Sequence, residues 1–379
     1  MPDMQSQQRK PSITWITPDY FVDCDFSPEL FSAILEVYNI TWIVLLPGHN
    51  ARFNERDFDQ IRQLPGLSIE FMYWRSRARS PKMLKFYGQV YRRIKELKAD
   101  LVYFNEVPVN PYVLPLYWRI ARKRTIVTAH DGNVKPSFSM ARVAKVVFNL
   151  AFGAVKNVNM FSKSQAAVFK STFKKAQVFV IPLGLKDFGD SEEKRRDDSV
   201  MFFFFGSIVN NKSLETLIEA ACNMYDKGLR GFKIAINGAC GNWDVYQSAI
   251  KYPELFECDI RLHKNTEIPT LFARNHYSVF PYREVSQSGA IKVAFRYNVP
   301  VIVSNLEAFT DEVEDGINGY IFNAGQTADL ERVMTQLLQN HTAENYQAIQ
   351  QKAAAFNEER YAVPRLAGQY IQMFNQVLC

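Results

Sequence analysis

Residues Tyr277–Val303 read YSVFPYREVSQSGAIKVAFRYNVPVIV, and this stretch decides the fold. Tyr277–Phe280 is a short apolar run of the length and composition of a buried strand. A polar turn follows, Tyr282-Arg283-Glu284-Val285-Ser286-Gln287-Ser288-Gly289. Ala290, Ile291, Val293, Ala294 and Tyr297 then recur at helical spacing, and Val299–Val303 closes the unit as a β-branched strand with Pro300 near its start. The order is strand, loop, helix, strand, with hydroxyls and a glycine where the helix begins. A helix N-terminus presents unpaired backbone N–H groups and the positive end of its dipole, so it readily holds a phosphate. Ser286 and Ser288 add hydroxyl donors, Gly289 allows close backbone approach, and Glu284 is an acceptor just ahead of the anion site. Ser-x-Ser-Gly taken alone is better accounted for by an ordinary capped helix without a ligand.

The whole unit resembles the donor-site segment of GT-B glycosyltransferases of the family 4 type. There a Glu precedes a small-residue loop and helix, followed by a Pro-Val-Ile-type strand. The E-x-SQSG form, Glu284 to Gly289, resembles the branch that builds bacterial capsule, O-antigen and exopolysaccharide chains. The resemblance implies two Rossmann-like α/β domains facing across a cleft, and retaining transfer of a sugar from a nucleotide diphosphate sugar.

Upstream, the apolar run Val200–Phe205 leads into Gly206-Ser207-Ile208-Val209-Asn210-Asn211-Lys212-Ser213 and a helical pattern from Leu214. This resembles the family's G-R-x-x-x-x-K-G loop, in which Arg and Lys clamp the donor diphosphate. Lys212 falls on the Lys position, Ser207 replaces the Arg, and Ser213 replaces the second Gly. One cation is therefore missing from the clamp. A Lys212 that simply faces solvent is the bland alternative. Asn237 ends the run Phe232–Ile236, and Lys264 follows Ile260-Arg261-Leu262-His263; the resemblance puts both loops at the edge of the nucleotide. His263 is assigned no chemistry. Eight positions after Glu284 the family carries a second acid for the ribose hydroxyls, and here Lys292 stands, which cannot accept a hydrogen bond. Its remaining use is positive charge near the diphosphate. Glu312, in a segment resembling E-x-x-x-D-G-x-x-G, reads as structural.

Before this, Ile13–Ile16, Trp42–Leu46, Leu67–Tyr73, Asp100–Phe104 and Thr125–Ala129 read as strands. Family members follow the first with a glycine-rich turn; here it runs Thr17-Pro18-Asp19, so any contact there is made differently. Asn105-Glu106 follows the fourth of these runs, where an open α/β sheet binds ligands. Thr125–Ala129 ends in His130-Asp131-Gly132, similar to the family's T-x-H-D, which implies that His130 meets the transferred sugar and acceptor and Asp131 orients it. A histidine bonded within its loop is the alternative. Arg142 and Lys145 come next, as cations for an anionic acceptor. Phe161-Ser162-Lys163-Ser164 and Ile181-Pro182-Leu183-Gly184 resemble the family's motifs at the end of the first domain.

The charged run Asp187–Ser199 reads as the interdomain linker. The expected division is 1–188 for an acceptor domain and 189–361 for the donor domain, with a C-terminal helix at about 362–379 returning to the first.

At 379 residues, 47% apolar and 22% charged, the chain suits two globular domains. No apolar run approaches the roughly 20 residues of a membrane helix, and the polar start MPDMQSQQRKP does not read as a signal peptide, so a cytoplasmic protein is expected. The five cysteines are scattered and suggest no zinc site. The second domain's loops carry no Asp-x-Asp pair, and no obligatory metal or other cofactor is expected beyond a UDP- or GDP-sugar donor.

Arg75, Arg77, Arg79, Lys82, Lys85, Arg92, Arg93, Lys95 and Lys98 stand against Glu96 alone, with Phe86, Tyr87 and Tyr91 interleaved; Arg119, Arg122, Lys123 and Arg124 follow. That face suits an anionic membrane surface carrying a lipid-linked acceptor, or is a solvated helix; no motif supports nucleic acid. The substitutions at Ser207 and Lys292 leave a non-catalytic scaffold subunit open as an alternative, and a nucleotide-sugar epimerase behind it.

Overall fold

The computed structural model describes residues 9–19, 22, 27–49, 51–77, 80–105, 110–120, 123–134, 141–196 and 198–379. Its contacts divide the chain into two compact units, Met1–Pro182 with Val363–Cys379, and Leu183–Ala362.

The first unit holds a seven-stranded sheet: β1 (Ser12–Pro18), β2 (Asn39–Pro47), β3 (Leu67–Trp74), β4 (Leu101–Phe104), β5 (Thr125–Ala129), β6 (Asn157–Met160) and β7 (Gln177–Val180), in the order β3-β2-β1-β4-β5-β6-β7. The second holds a six-stranded sheet: β8 (Val200–Phe205), β9 (Phe232–Asn237), β10 (Phe256–Asp259), β11 (Tyr277–Phe280), β12 (Val301–Ser304) and β13 (Gly319–Phe322), in the order β10-β9-β8-β11-β12-β13. Every pairing of these strands is parallel. Both orders reverse direction beside the first strand of their unit, and ligands in such sheets collect at the strands' carboxyl ends near that point.

Parallel strands covered by helices on both faces read as continuous apolar runs rather than alternating ones. That is why Val200–Phe205 carries four consecutive phenylalanines, of which Phe202, Phe203 and Phe204 are fully buried. In the first unit, Trp15 of β1 packs its ring on Phe31, Tyr103 and Tyr370. Tyr370 belongs to the C-terminal helix Val363–Leu378, which leaves the second unit's sequence and docks here through Tyr370, Met373 and Phe374. Tyr38 locks it by donating to Asn375 Oδ1 at 2.6 Å.

The chain passes into the second unit after Pro182, ahead of the 188/189 boundary read from charge. Leu185 and Phe188 pack on the second core, and the Phe188 N–H donates to the Tyr297 hydroxyl at 3.2 Å. The charged run that follows is not a loose linker. Asp187 pairs with Arg296 at 2.7 Å, Glu193 with Arg274 at 2.9 Å and Arg196 with Glu257 at 2.6 Å, while Arg195 lies over the Tyr346 ring at 4.6 Å. Alternating charges here fasten an extended strap to the surface of the second unit.

The basic helix is Met83–Leu97, and the aromatics interleaved with its cations point inward. Phe86 and Tyr87 are buried with Met83, Val90 and Ile94, and Arg93 is engaged by Glu70 at 2.6 Å. Lys82, Lys85, Arg92 and Lys95 form the exposed face. Arg79 and Arg122 lie outside the described residues. Among the described residues no helix is long and apolar enough to cross a membrane.

Candidate donor site

The carboxyl ends of β8, β9 and β11 carry three loops that the backbone ties together. Gly206, directly after β8, has φ 113°, a conformation L side chains rarely adopt, and its N–H donates to the Asn237 carbonyl at 3.0 Å. Gly238 presses on it so closely that a Cβ there would stand 2.0 Å from the Gly206 carbonyl oxygen. The loop after Gly206 is fixed to the loop after β11: Arg283 N–H donates to the Asn211 carbonyl at 2.9 Å, and Asn211 Nδ2 donates to the Glu284 carbonyl at 3.3 Å.

Lys212 is carried on this joint. Its ammonium lies over the Tyr282 ring at 5.4 Å and 3.2 Å from where a Cβ on Gly206 would stand. Burial pulls its pKa from 10.5 to about 8, and among the described residues no carboxylate faces it. An ammonium drawn this far out of water without a counter-ion is stabilised when an anion completes it. Ser213 then opens the helix Leu214–Asp226 with φ 47° and ψ 48°. It thus keeps a left-handed conformation suited to the glycine it replaces, at a cost of roughly 1 kcal/mol. Its hydroxyl is buried without a hydrogen-bond partner among the described residues.

The loop after β11 continues through buried Ser286 and Ser288 to the helix Gly289–Arg296. The Ser288 side chain makes no capping hydrogen bond and so leaves the first-turn N–H groups of that helix to other partners. Gln287 between the serines has both amide atoms buried without partners among the described residues. Lys186, which the sequence motifs did not single out, brings its ammonium to this helix end. A Cβ on Gly289 would meet Lys186 Nζ at 3.3 Å.

Gly206, Lys212, Asn237, Glu284 and Ser286–Gly289 are thus gathered on adjoining loops. Ser207 is exposed and supplies no charge. Lys264 is exposed as well, and its N–H is held by Glu267 at 2.7 Å in a tight turn beyond the edge strand β10. His263 sits beside it with Nε2 3.3 Å from the Asp259 carbonyl, a loop contact.

Lys292 departs from its expected use. Its side chain is 1% exposed, its ammonium lies 2.8 Å from Glu312 and 3.9 Å from the Tyr361 ring centre, and its charge is cancelled inside the core. An ammonium paired in this way adds no net field for a diphosphate.

In the first unit, His130 and Asp131 follow β5. The His130 ring packs edge-on against Phe161 at 5.3 Å. Gly132 donates to Gln165 Oε1 at 2.9 Å and has no room for a side chain, since a Cβ would fall 2.4 Å from the Gln165 carbonyl oxygen. Asp19, in place of the glycine-rich turn, is buried and accepts from Arg52 N at 3.1 Å and Phe53 N at 3.3 Å. It ties the turn after β1 to the segment after β2. Arg142 and Lys145 are exposed on the helix Ala141–Phe152, while Glu106 lies outside the described residues.

The family model for glycosyl transferases group 1 matches residues 199–340, the span that contains these donor loops. The chain carries a group 1 glycosyltransferase domain. Solved structures of GT-B glycosyltransferases share the fold over nearly the full length. A glycosyltransferase from Rickettsia africae superposes with a TM-score of 0.72 at 13% identity, covering 98% of this chain and 99% of its own. HepE from Anabaena, in complex with UDP and glucose, gives 0.68 at 15% identity over 97% and 100%. Sucrose-phosphate synthase from Thermosynechococcus elongatus gives 0.69 at 12% identity over 97% and 99%. At these identities the likeness is one of fold. No curated protein matches the sequence.

Proposed function

We propose that this glycosyltransferase moves a hexose-type sugar, with retention of configuration, from a nucleoside diphosphate sugar to a glycan or lipid-linked acceptor in bacterial surface polysaccharide synthesis. The observation that carries the reading is Lys212, a largely buried ammonium set between Gly206 and the Tyr282 ring with no acid opposite it among the described residues. The barrier to transfer lies in breaking the sugar–phosphate bond while positive charge develops at the anomeric carbon, so stabilising the departing diphosphate is the main task. Lys212 meets that charge directly, and the N–H groups at Gly289, with the Ser286 and Ser288 hydroxyls, meet it through hydrogen bonds. In this reading the protein itself neutralises the diphosphate, without an obligatory metal.

Glu284 holds sugar hydroxyls and fixes the donor's pose. His130 meets the sugar or acceptor and Asp131 orients it. The HepE complex, holding UDP and glucose on the same fold, supports a nucleoside diphosphate donor.

Charge supports a membrane-borne acceptor. The first unit carries 27 Lys and Arg against 14 Asp and Glu, the second 18 against 25, so the net +6 conceals opposite signs. Leu84, Trp118, Val146 and Leu150 are exposed in the cationic unit, a combination suited to an anionic bilayer on the inner face of the plasma membrane.

The test is a thermal-shift screen of UDP, GDP, ADP and their common sugars, followed by product analysis with anionic vesicles bearing lipid-linked acceptors. One nucleotide raising the midpoint, and its sugar being transferred with the anomeric configuration kept, is the expected result. A protein that binds no nucleotide sugar returns the reading to a scaffold subunit.

A further inference from the structure

We propose that the outer face of the helix Ala141–Phe152, with Trp118 beside it, is the surface by which the protein docks on an anionic bilayer. The inference rests on the membrane-borne acceptor proposed above. It adds a location and a mode, shallow insertion rather than attraction alone.

The helix is apolar on most of its circumference. Ala144, Val147, Phe148, Ala151 and Phe152 face the core, as an amphipathic helix requires. Val143, Val146 and Leu150 recur at i, i+3 and i+7 on the outside, where they are 51%, 58% and 48% exposed. Arg142, Lys145 and Asn149 are its polar residues. Trp118, 48% exposed on the neighbouring helix Leu114–Arg119, donates from Nε1 to the Leu150 carbonyl at 3.3 Å, which holds the indole at one end of the stripe. Single exposed apolar residues are ordinary on protein surfaces, but a stripe joined by a tryptophan marks a contact.

Charge decides what the contact is with. Residues 1–106 carry 14 Lys and Arg against 13 Asp and Glu, so the basic helix Met83–Leu97 belongs to a nearly balanced half of the first unit. Residues 107–182 carry 12 against 1, the acid being Asp131. The two helices that bear the patch contain no acid, and Arg142 and Lys145 have no ion-pair partner among the described residues. A second copy of the chain fits badly, because a twofold interface would set these cations against themselves. An anionic headgroup layer meets the cations instead, and the acyl boundary beneath it takes Val143, Val146, Leu150 and the indole. The position suits the reaction as well. β5 and β6 are parallel, so the helix joining them starts on the side of their carboxyl ends, where His130 and Asp131 follow β5.

The experiment is co-sedimentation with vesicles of phosphatidylglycerol and phosphatidylcholine at low and physiological salt, with brominated acyl chains as a quencher of tryptophan fluorescence. The proteins are wild type, Val146→Gln/Leu150→Gln, Trp118→Phe, and Lys85→Gln/Arg92→Gln/Lys95→Gln on the basic helix. Glutamine is at least as good a helix former as valine, so the melting midpoint of the first variant should match wild type. That variant is expected to weaken vesicle binding at least about tenfold at both salt concentrations. Trp118→Phe should keep most of the binding and lose most of the quenching, and the basic-helix variant should weaken binding at low salt only. Binding and quenching that are indifferent to Val146, Leu150 and Trp118 overturn this surface and leave the membrane-borne acceptor standing. A wild type that binds no anionic vesicle removes both. A wild type that ignores vesicles and self-associates, and that Val146→Gln/Leu150→Gln dissociates, gives the face to a second copy and overturns the proposal as well.

Discussion

Lys212→Met is expected to give a protein that melts higher than wild type and no longer responds to any nucleoside diphosphate. In the folded chain burial draws the Lys212 pKa from 10.5 to about 8, and the gap corresponds to a destabilisation of about 3 kcal/mol at neutral pH. Methionine keeps the length and most of the apolar stem while removing the desolvated charge. The sign with pH follows from proton counts. Between about pH 8 and 10.5 the unfolded chain holds a proton that the folded chain has released, so wild-type stability rises across that window. The variant lacks this rise, so its advantage is largest below pH 8 and closes toward pH 10.5. Ligand binding runs the other way, because a diphosphate beside Lys212 favours its charged form. Above pH 8 wild-type nucleotide affinity should therefore fall, by at most about tenfold per pH unit. Chemical denaturation from pH 7 to 10.5, with and without nucleotide, checks both limbs. A variant that melts lower than wild type, or keeps the nucleotide shift, would show that Lys212 is a packing residue.

The trade seen at Lys212, stability surrendered for an unmatched charge, bears on what the sequence disclosed. Apolar runs such as Val200–Phe205, Tyr277–Phe280 and Thr125–Ala129 coincide with strands because a parallel strand buried on both faces has no polar alternative. Lys212 and the Ser286–Gly289 loop stand out in the sequence through their resemblance to family motifs, and the backbone brings them onto adjoining loops. Lys186 carries no such signal. Its meeting with Gly289 is created by the path of the strap, which packing on the second core determines. The strap itself misleads: Asp187–Ser199 has a linker's composition, yet opposite charges on Arg274, Arg296 and Glu257 fasten it down. Phe86 and Tyr87 mislead in the opposite sense, lying among cations in sequence while a helix turns them inward. Lys292 misleads because a motif position conveys which residue stands there and not which acid, distant in sequence, will meet it.

That last pair carries the second large expectation. Glu312→Gln alone, or Lys292→Met alone, should destabilise the protein by about 3–5 kcal/mol, because each leaves one buried charge uncompensated. The midpoint would drop by roughly 10 °C in a domain of this size. Lys292 is 1% exposed and Glu312 8%, so water cannot easily rescue the survivor, and Tyr361 above Lys292 offers only its ring face to the ammonium. The double variant Lys292→Met/Glu312→Leu removes both charges together and is expected within about 1 kcal/mol of wild type, since well-packed apolar residues commonly replace a buried ion pair without loss. Comparing the four proteins in a double-mutant cycle isolates the coupling. The double variant also separates structure from chemistry. With the pair's net charge already zero, its removal should leave nucleotide affinity nearly unchanged, whereas a Lys292 that touched the diphosphate would lose tenfold or more. Single variants as stable as wild type would mean that the pair opens to solvent, and the core around Tyr361 would then have to be held by its apolar contacts alone.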